Sequence, residues 1–428
     1  MKIAITSDIH LGDAKSAMAF KDQLSGDIYV GSKYEEFTKT IKGRFGNDPL
    51  DYLILLGDIF DFSVCCYYES YEIGKHFFQE LKNDNITKEI IYVPGNHDFD
   101  IWNTVEYQAN ILNRIQNHKL PRQFRMSVPG IIDDRAKSLI NGFTIHNVSA
   151  KTIAGQPKYA GLFLDGITDP DLPFNFVYPN IYFITEEETI LITHGQYLEP
   201  FWSVMGEWAL KIIDGDLDVK DQKLLDMQEW VAINFPLSQM SCSALGQAGP
   251  LTKVVQKLEH ELKDRNVQRV KTYLDRLETE IKTHLKGIGK FIVPIGYYFA
   301  KNAILKALSN MKDTRYRTEF MKDPAVQERF KNFYNSTVYE ISEIKDKYGV
   351  DIPLPTKMIF GHTHQPIPWN SPEALSIELP ELPKGTSFKM FNTGGWLNEI
   401  NVHNVPKFCG AEIFFYESGK GFSSVGIG

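Results

Sequence analysis

The sequence predicts an α/β protein in which a layered strand-and-helix unit, residues 1–200 and 349–428, is interrupted by a helical insert over residues 201–348. Three observations carry this. Short apolar runs end in turn-competent residues, helical spacing fills the gaps between the first of them, and long stretches with three- and four-residue periodicity take over from about Phe201 to Tyr348. Alternating strands and helices favour a layered sheet whose ligands bind beyond the carboxyl ends of the strands.

In chain order, the apolar runs Lys2–Thr6, Tyr52–Leu56, Ile90–Val93, Thr189–Thr193, Lys357–Phe360 and Phe388–Asn392 read as buried strands. Tyr34–Ile41 and Tyr67–Leu81 read as the helices between the first three. In the insert, Val254, Leu258, Leu262, Val270, Leu274, Leu277, Ile281 and Leu285 recur at helical intervals with charges opposite, which predicts an amphipathic helix broken near Asp264–Asn266. Gly287, Gly289, Pro294 and Gly296 punctuate the chain before further helical runs at Tyr297–Met311 and Val326–Lys345. The insert leaves and rejoins the layered unit between two histidines at strand ends, His194 and His362, so it is expected to form a cap near that edge. No internal repeat or low-complexity tract is present.

At 428 residues and 43% apolar content the chain can bury a large core. Met1–Thr6 runs directly into the first motif, so no removable signal segment is expected, and the four cysteines form neither a disulfide framework nor a CxxC pattern. A reducing, cytoplasmic setting is expected. The most apolar stretch, Gly287–Leu308, contains Lys290, Pro294, Lys301 and Lys306 and is a poor membrane span. Residues 253–347 hold 20 Lys/Arg against 13 Asp/Glu, whereas the remainder holds 26 against 41, so a basic insert is joined to an acidic body. Such a surplus attracts phosphates, an acidic membrane surface or nucleic acid, and Phe291–Leu308 suits a pocket for an acyl or aromatic group. The plainer alternative is an apolar cap core under a solvated lysine face.

Five short blocks at the ends of apolar runs carry the chemistry: Ser7-Asp8-Ile9-His10, Gly57-Asp58-Ile59-Phe60-Asp61, Gly95-Asn96-His97-Asp98, Thr193-His194-Gly195 and Gly361-His362-Thr363-His364. Asp8 and His10, one residue apart, can be aimed from one turn at a single ion, although Asp-x-His alone is more often a surface turn. His362 and His364 put two imidazoles on one side of a turn, Asn96 offers a carbonyl oxygen, and a lone strand-end His194 would ordinarily be a satisfied or exposed side chain. Two divalent ions ~3.5–4 Å apart need an anionic bridge with mixed nitrogen and oxygen ligands, and the blocks supply that mixture.

In this order the blocks resemble the calcineurin-like metallophosphoesterase superfamily over about Met1–Pro200 and Gly349–Gly428, the insert excepted. The resemblance implies a four-layer β-sandwich flanked by helices, and two divalent ions, manganese first and iron or zinc as alternatives. It implies metal ligation by Asp8, His10, Asp58, Asn96, His194, His362 and His364. Asp58 would bridge the ions, His364 would serve the first, and Asn96, His194 and His362 the second. His97 would act as general acid at the leaving-group oxygen, with Asp61 behind it fixing the imidazole. Asn392-Thr393-Gly394-Gly395-Trp396 would pack beneath the last ligands. The structural role is favoured for His76, His118, His146, His260, His284 and His403.

The implied activity is hydrolysis of a small phosphomonoester or phosphodiester, nucleotide or lipid-linked among the options, by attack of a metal-bridged hydroxide. Phe62-Ser63 stands where the protein serine/threonine phosphatases of the superfamily have Arg-Gly, which argues against phosphoprotein. The blocks are nearest in tone to the bacterial UDP-2,3-diacylglucosamine hydrolase-like branch, whose members carry Arg where this chain has His97. Two other classes stand as alternatives. A nuclease calls for a basic catalytic domain, whereas the body here is acidic, and a non-catalytic scaffold like the retromer subunit would have lost ligands that this chain keeps.

Overall fold

The computed structural model describes residues 1–22, 24–136, 138–140, 167, 172–200, 202–203, 206–207, 225–243, 267–284, 320–400 and 406–428. The first strands are β1 (Lys2–Thr6), β2 (Ala19–Lys21), β3 (Ile28–Val30), β4 (Leu50–Leu56), β5 (Thr87–Val93), β6 (Gly130–Asp133), β7 (Ser138–Ile140) and β8 (Phe174–Phe176). They are followed by β9 (Asn180–Ile184), β10 (Thr189–Thr193), β11 (Lys357–Phe360), β12 (Pro366–Ile367), β13 (Leu375–Glu378), β14 (Ser387–Ile400), β15 (Pro406–Glu417) and β16 (Gly421–Ile427). All six expected strands are present, and three of them, β1, β10 and β11, have the expected bounds.

One hydrogen-bonded path, β7-β6-β9-β10-β11-β14-β15-β1-β4-β5-β8, links the strands, with β12 and β13 on β14 and β16 on β15. β1, β4 and β5 are mutually parallel in one half, as are β10, β11 and β14 in the other. β14 belongs to both halves: Lys389–Asn392 pairs with β11, and Gly394–Ile400 pairs with β15 across a register shift between Gly395 and Asn398. β1 lies between β4 and β15, the latter pairing Lys2 with Glu417.

The period of two in each strand sorts its residues between two cores. Ile3, Ile5, Ile54, Leu56, Ile91 and Val93 of one half meet Ile181, Phe183, Ile190, Ile192, Ile359 and Phe391 of the other in a single buried cluster. Their alternates, among them Ala4, Leu53, Leu55, Tyr92, Leu191, Met358 and Met390, face outward into a second cluster shared with the helices. The result is a sheet-on-sheet sandwich flanked by helices.

On the outer faces, α1 (Ser32–Phe45) buries Tyr34, Phe37, Thr38, Ile41 and Phe45, and α2 (Tyr67–Asn83) buries Ile73, Gly74, Phe77, Phe78 and Leu81, each a three- and four-residue stripe. α3 (Phe99–Glu106) continues into a π-helical stretch at Tyr107–Leu112. Within residues 201–348 the described helices are Met227–Ser241, opened by an Asp226/Glu229 capping box, Val267–His284, and Pro324–Tyr348. The last starts at the Asp323 cap with proline in its first turn and ends at Gly349, whose φ of 70° suits a residue without Cβ. It packs on the sheet: Phe330 and Tyr334 lie against Phe388 of β14 at ring-centroid distances of 5.0 and 5.2 Å. The expected features at Val254–Asn266, Tyr297–Met311 and Phe291–Leu308 lie outside the described residues. No described helix is long and apolar enough to cross a membrane.

The contact between Pro324–Tyr348 and the sheet includes a buried acid. Glu340 accepts hydrogen bonds from Tyr182 Oη (2.5 Å), Asn180 Nδ2 (3.4 Å) and Ser127 Oγ. Burial pushes its carboxyl up to about 7 against the lowering effect of those three donors. Because the folded-state value lies above the ordinary 4.5, the folded chain holds this proton more tightly than the unfolded one. The stabilisation is complete below the ordinary value and is lost as pH rises toward 7. Glu340→Gln should therefore abolish a loss of stability on the order of 2–3 kcal/mol between about pH 4.5 and pH 7.5. Urea unfolding of both proteins across that range measures it, and identical pH dependence would remove Glu340 as the source.

Candidate metal centre

All nine residues singled out from the sequence converge where the parallel strands end. Asp8 and His10 follow β1, Asp58 and Asp61 follow β4, Asn96 and His97 follow β5, His194 follows β10, and His362 and His364 follow β11. Eight of them are at most 3% exposed, and His364, with 9% of its side chain exposed, lies at the rim. Their candidate ligand atoms fall into three groups, two of which share His10: Asp8, His10 and His364; His10, Asp61 and His97; and Asp58, His194 and His362.

The loops reach this arrangement at a conformational cost. Asp8, His10, Asp58, His362 and His364 all have φ between 51° and 68°, in the left-handed region that residues with a Cβ rarely adopt. Gly95 is required for space, since a Cβ there would overlap Asp58 Oδ1 and lie 2.6 Å from Asp58 N and 2.8 Å from His194 Nε2. Asp98 ties the second and third loops together by accepting from Gly95 N (2.6 Å), Ile59 N (2.8 Å) and Tyr92 Oη (2.5 Å). β14 holds the others: Trp396 N donates to Asp8 O (2.9 Å), Asn392 Nδ2 to Gly361 O (2.7 Å), and Thr393 Oγ1 lies 2.5 Å from Ser7 Oγ.

Hydrogen bonds fix which ring nitrogen each histidine presents. His194 Nδ1 donates to Leu56 O at 2.8 Å, so its Nε2 faces Asp58 Oδ2 at 3.1 Å and Asn96 Oδ1 at 3.3 Å. His10 Nδ1 lies 2.9 Å from Asp61 Oδ2, so its Nε2 faces His364 Nε2 at 3.2 Å, with Asp8 Oδ1 and Asp58 Oδ2 each at 3.9 Å. His364 Nε2 is itself 3.2 Å from Asp8 Oδ1. Asp58 Oδ2 thus lies within reach of both histidine groups, while its Oδ1 accepts from His97 N at 2.8 Å. The other oxygen of Asp61, Oδ1, meets His97 Nδ1 at 3.1 Å, so one carboxylate serves both His10 and His97.

Imidazole lone pairs and carboxylate oxygens repel at these separations unless a proton or a cation lies among them, and the donor set of nitrogen and carboxylate oxygen suits a divalent transition metal. Burial pushes the Asp58 carboxyl up, yet His194, His97 and His10 hold it well below the usual range. Asp8 is lowered against burial by His194 and His364. Burial opposes the charge on the histidines too, but Asp58 raises His194 to about 9, and Asp61 and Asp58 hold His97 well above its ordinary value. Without metal, protons supply the positive charge that the carboxylates demand, and a divalent ion takes their place with proton release.

Three contributors were missed by sequence reading. Asp98 stands in the third block with no role that its spacing alone declares. Glu199 Oε2 lies 2.8 Å from His362 Nε2 and accepts from Trp202 Nε1 at 3.0 Å, and the Trp202 ring stands edge-on to His97 at 6.1 Å. No local spacing marks Glu199 or Trp202, because the histidines they meet, His362 and His97, are far away in the chain.

Residues 1–202 match the family model for calcineurin-like phosphoesterases. Among solved structures, this chain is similar to a dimetal phosphatase from Danio rerio, at 10% identity, 100% coverage of this chain and 98% of that one, with a TM-score of 0.26. No curated protein matches.

The tight fit at Gly95 is testable. Gly95→Ala should reduce metal content at least tenfold under limiting metal and destabilise the fold by about 1–3 kcal/mol, because backbone must shift. Elemental analysis and thermal unfolding check it, and unchanged metal content would mean that the loops absorb the methyl.

Proposed function

We propose that this chain is a metal-dependent phosphoric ester hydrolase of the metallophosphoesterase superfamily acting on a small phosphomonoester or phosphodiester, a reading supported by the family match over residues 1–202. In this reading Asp8, His10 and His364 hold one divalent ion, Asn96, His194 and His362 hold a second, and Asp58 is common to both. The observation that carries it is the position of Asp58 Oδ2, 3.1 Å from His194 Nε2 and 3.9 Å from His10 Nε2. Manganese is the first choice for reconstitution, and iron and zinc suit the same donors.

When bound, such ions supply Lewis acidity and neutralise charge on the phosphoryl oxygens. The chain's own residues do the rest. Asp61 Oδ1 and Ser63 Oγ, 3.1 and 3.0 Å from His97 Nδ1, orient the imidazole and leave Nε2 to deliver a proton to the departing oxygen. The same carboxylate group orients His10 through Oδ2, so the proton donor and one metal ligand share a single support. Gly57, Gly95 and Gly361 let the three loops approach within contact distance.

We assign residues 1–200 and 349–428 to the catalytic domain and residues 201–348 to an insert governing selectivity, a division supported by the family match ending at residue 202. The helix Pro324–Tyr348 then has a double allegiance, since it lies within the insert yet packs on β9 and β14. We also propose a reducing, cytoplasmic setting, because the cysteine spacing in the sequence forms neither a disulfide framework nor a CxxC pattern. A phosphatase and phosphodiesterase panel with added Mn²⁺ and a DNA arm tests the substrate class, and DNA cleavage outpacing every small ester would overturn it.

Two variants test the roles. His97→Ala should lower kcat by about 10²–10⁴ for a poor leaving group and far less for 4-nitrophenolate, at normal metal content. Equal losses on both would rule out proton donation. Asp58→Asn should release at least one ion by elemental analysis, and retention of both would end the bridging assignment.

A further inference from the structure

We propose that Glu199 is a positioning residue for metal binding: its carboxylate takes the Nε2–H of His362 and thereby turns the other ring nitrogen, Nδ1, to the second ion. This rests on the reading that His362 ligates that ion. Glu199 is 1% exposed, and its Oε2 is shared by His362 Nε2 at 2.8 Å and Trp202 Nε1 at 3.0 Å. An indole N–H can only donate, so Oε2 is an acceptor there, as a carboxylate requires. A carboxylate hydrogen-bonded to the distal nitrogen of a ligating histidine fixes its tautomer and makes it a stronger donor to the metal.

The support is itself anchored. Arg329, on the helix Pro324–Tyr348, donates to Tyr197 O (3.1 Å) on one side of Glu199 and to Ser203 Oγ (2.9 Å) on the other. It also pairs with Glu207 at 3.0 Å and lies 5.0 Å over the Trp230 ring. The segment bearing Glu199 is therefore clamped between strand β10 and the returning helix, so the carboxylate is held where His362 needs it. Trp202 completes the arrangement by touching His97 with the ring whose N–H it gives to Glu199.

The test combines nitrogen-15 NMR of the Zn²⁺-loaded protein with Mn²⁺ titration followed by EPR, on the unaltered chain, Glu199→Gln, Trp202→Phe and His362→Ala. His362 should carry its proton on Nε2. Glu199→Gln should bind the first Mn²⁺ as the unaltered chain does and the second about 10–100-fold more weakly. Trp202→Phe, which keeps the carboxylate, should change second-ion affinity by less than about threefold. A proton on His362 Nδ1, or normal second-ion affinity in Glu199→Gln while His362→Ala loses that ion, overturns the proposal. If Glu199→Gln fails to fold, the tautomer in the unaltered protein decides. Binding of a single Mn²⁺ by the unaltered chain would instead overturn the two-ion reading.

Discussion

The rest of the structure depends on keeping acid and imidazole side chains together out of water. Asp8, Asp58 and Asp61 are each at most 1% exposed and face histidines at about hydrogen-bond distance. Buried carboxylates are tolerated only with positive charge beside them. Positive charge, from protons on the imidazoles or from a cation, therefore completes the electrostatics of the fold at this edge. The five left-handed backbone positions add strain of order 1–3 kcal/mol each, which surrounding bonds must offset.

Those bonds come from the sandwich. Parallel strands in each half end at the same edge and deliver their loops together, and the alternation of inward and outward residues fixes the register. β14, shared by both halves, ties the loops after β1 and β11 through Trp396, Thr393 and Asn392. These residues were expected to serve packing, and their polar groups also brace the ligand loops.

Much of this was legible in the sequence because the signals are local. A run such as Lys2–Thr6 declares a strand by its own composition, and Asp8 with His10 declares a candidate ligand pair by its spacing. The illegible parts are long-range. Glu199 meets His362 across 163 residues, and Arg329 reaches Ser203 across 126, with no periodicity linking either pair. Likewise the apolar stripe of Pro324–Tyr348 announces a helix but not its partner, which proves to be the sheet. Asp61 was legible as a support for His97 and not for His10, since only the folded loops bring the two rings to one carboxylate.

The place of β1 between β4 and β15 has a consequence for biosynthesis. The strand that delivers Asp8 and His10 precedes its antiparallel neighbour Pro406–Glu417 by most of the described chain, and His364 and the brace Trp396 also follow it at long range. During synthesis Asp8 and His10 thus emerge before the residues they meet, with the edge of β1 open beside them. The open edge of β1 is therefore available for mispairing until Pro406–Glu417 has joined it.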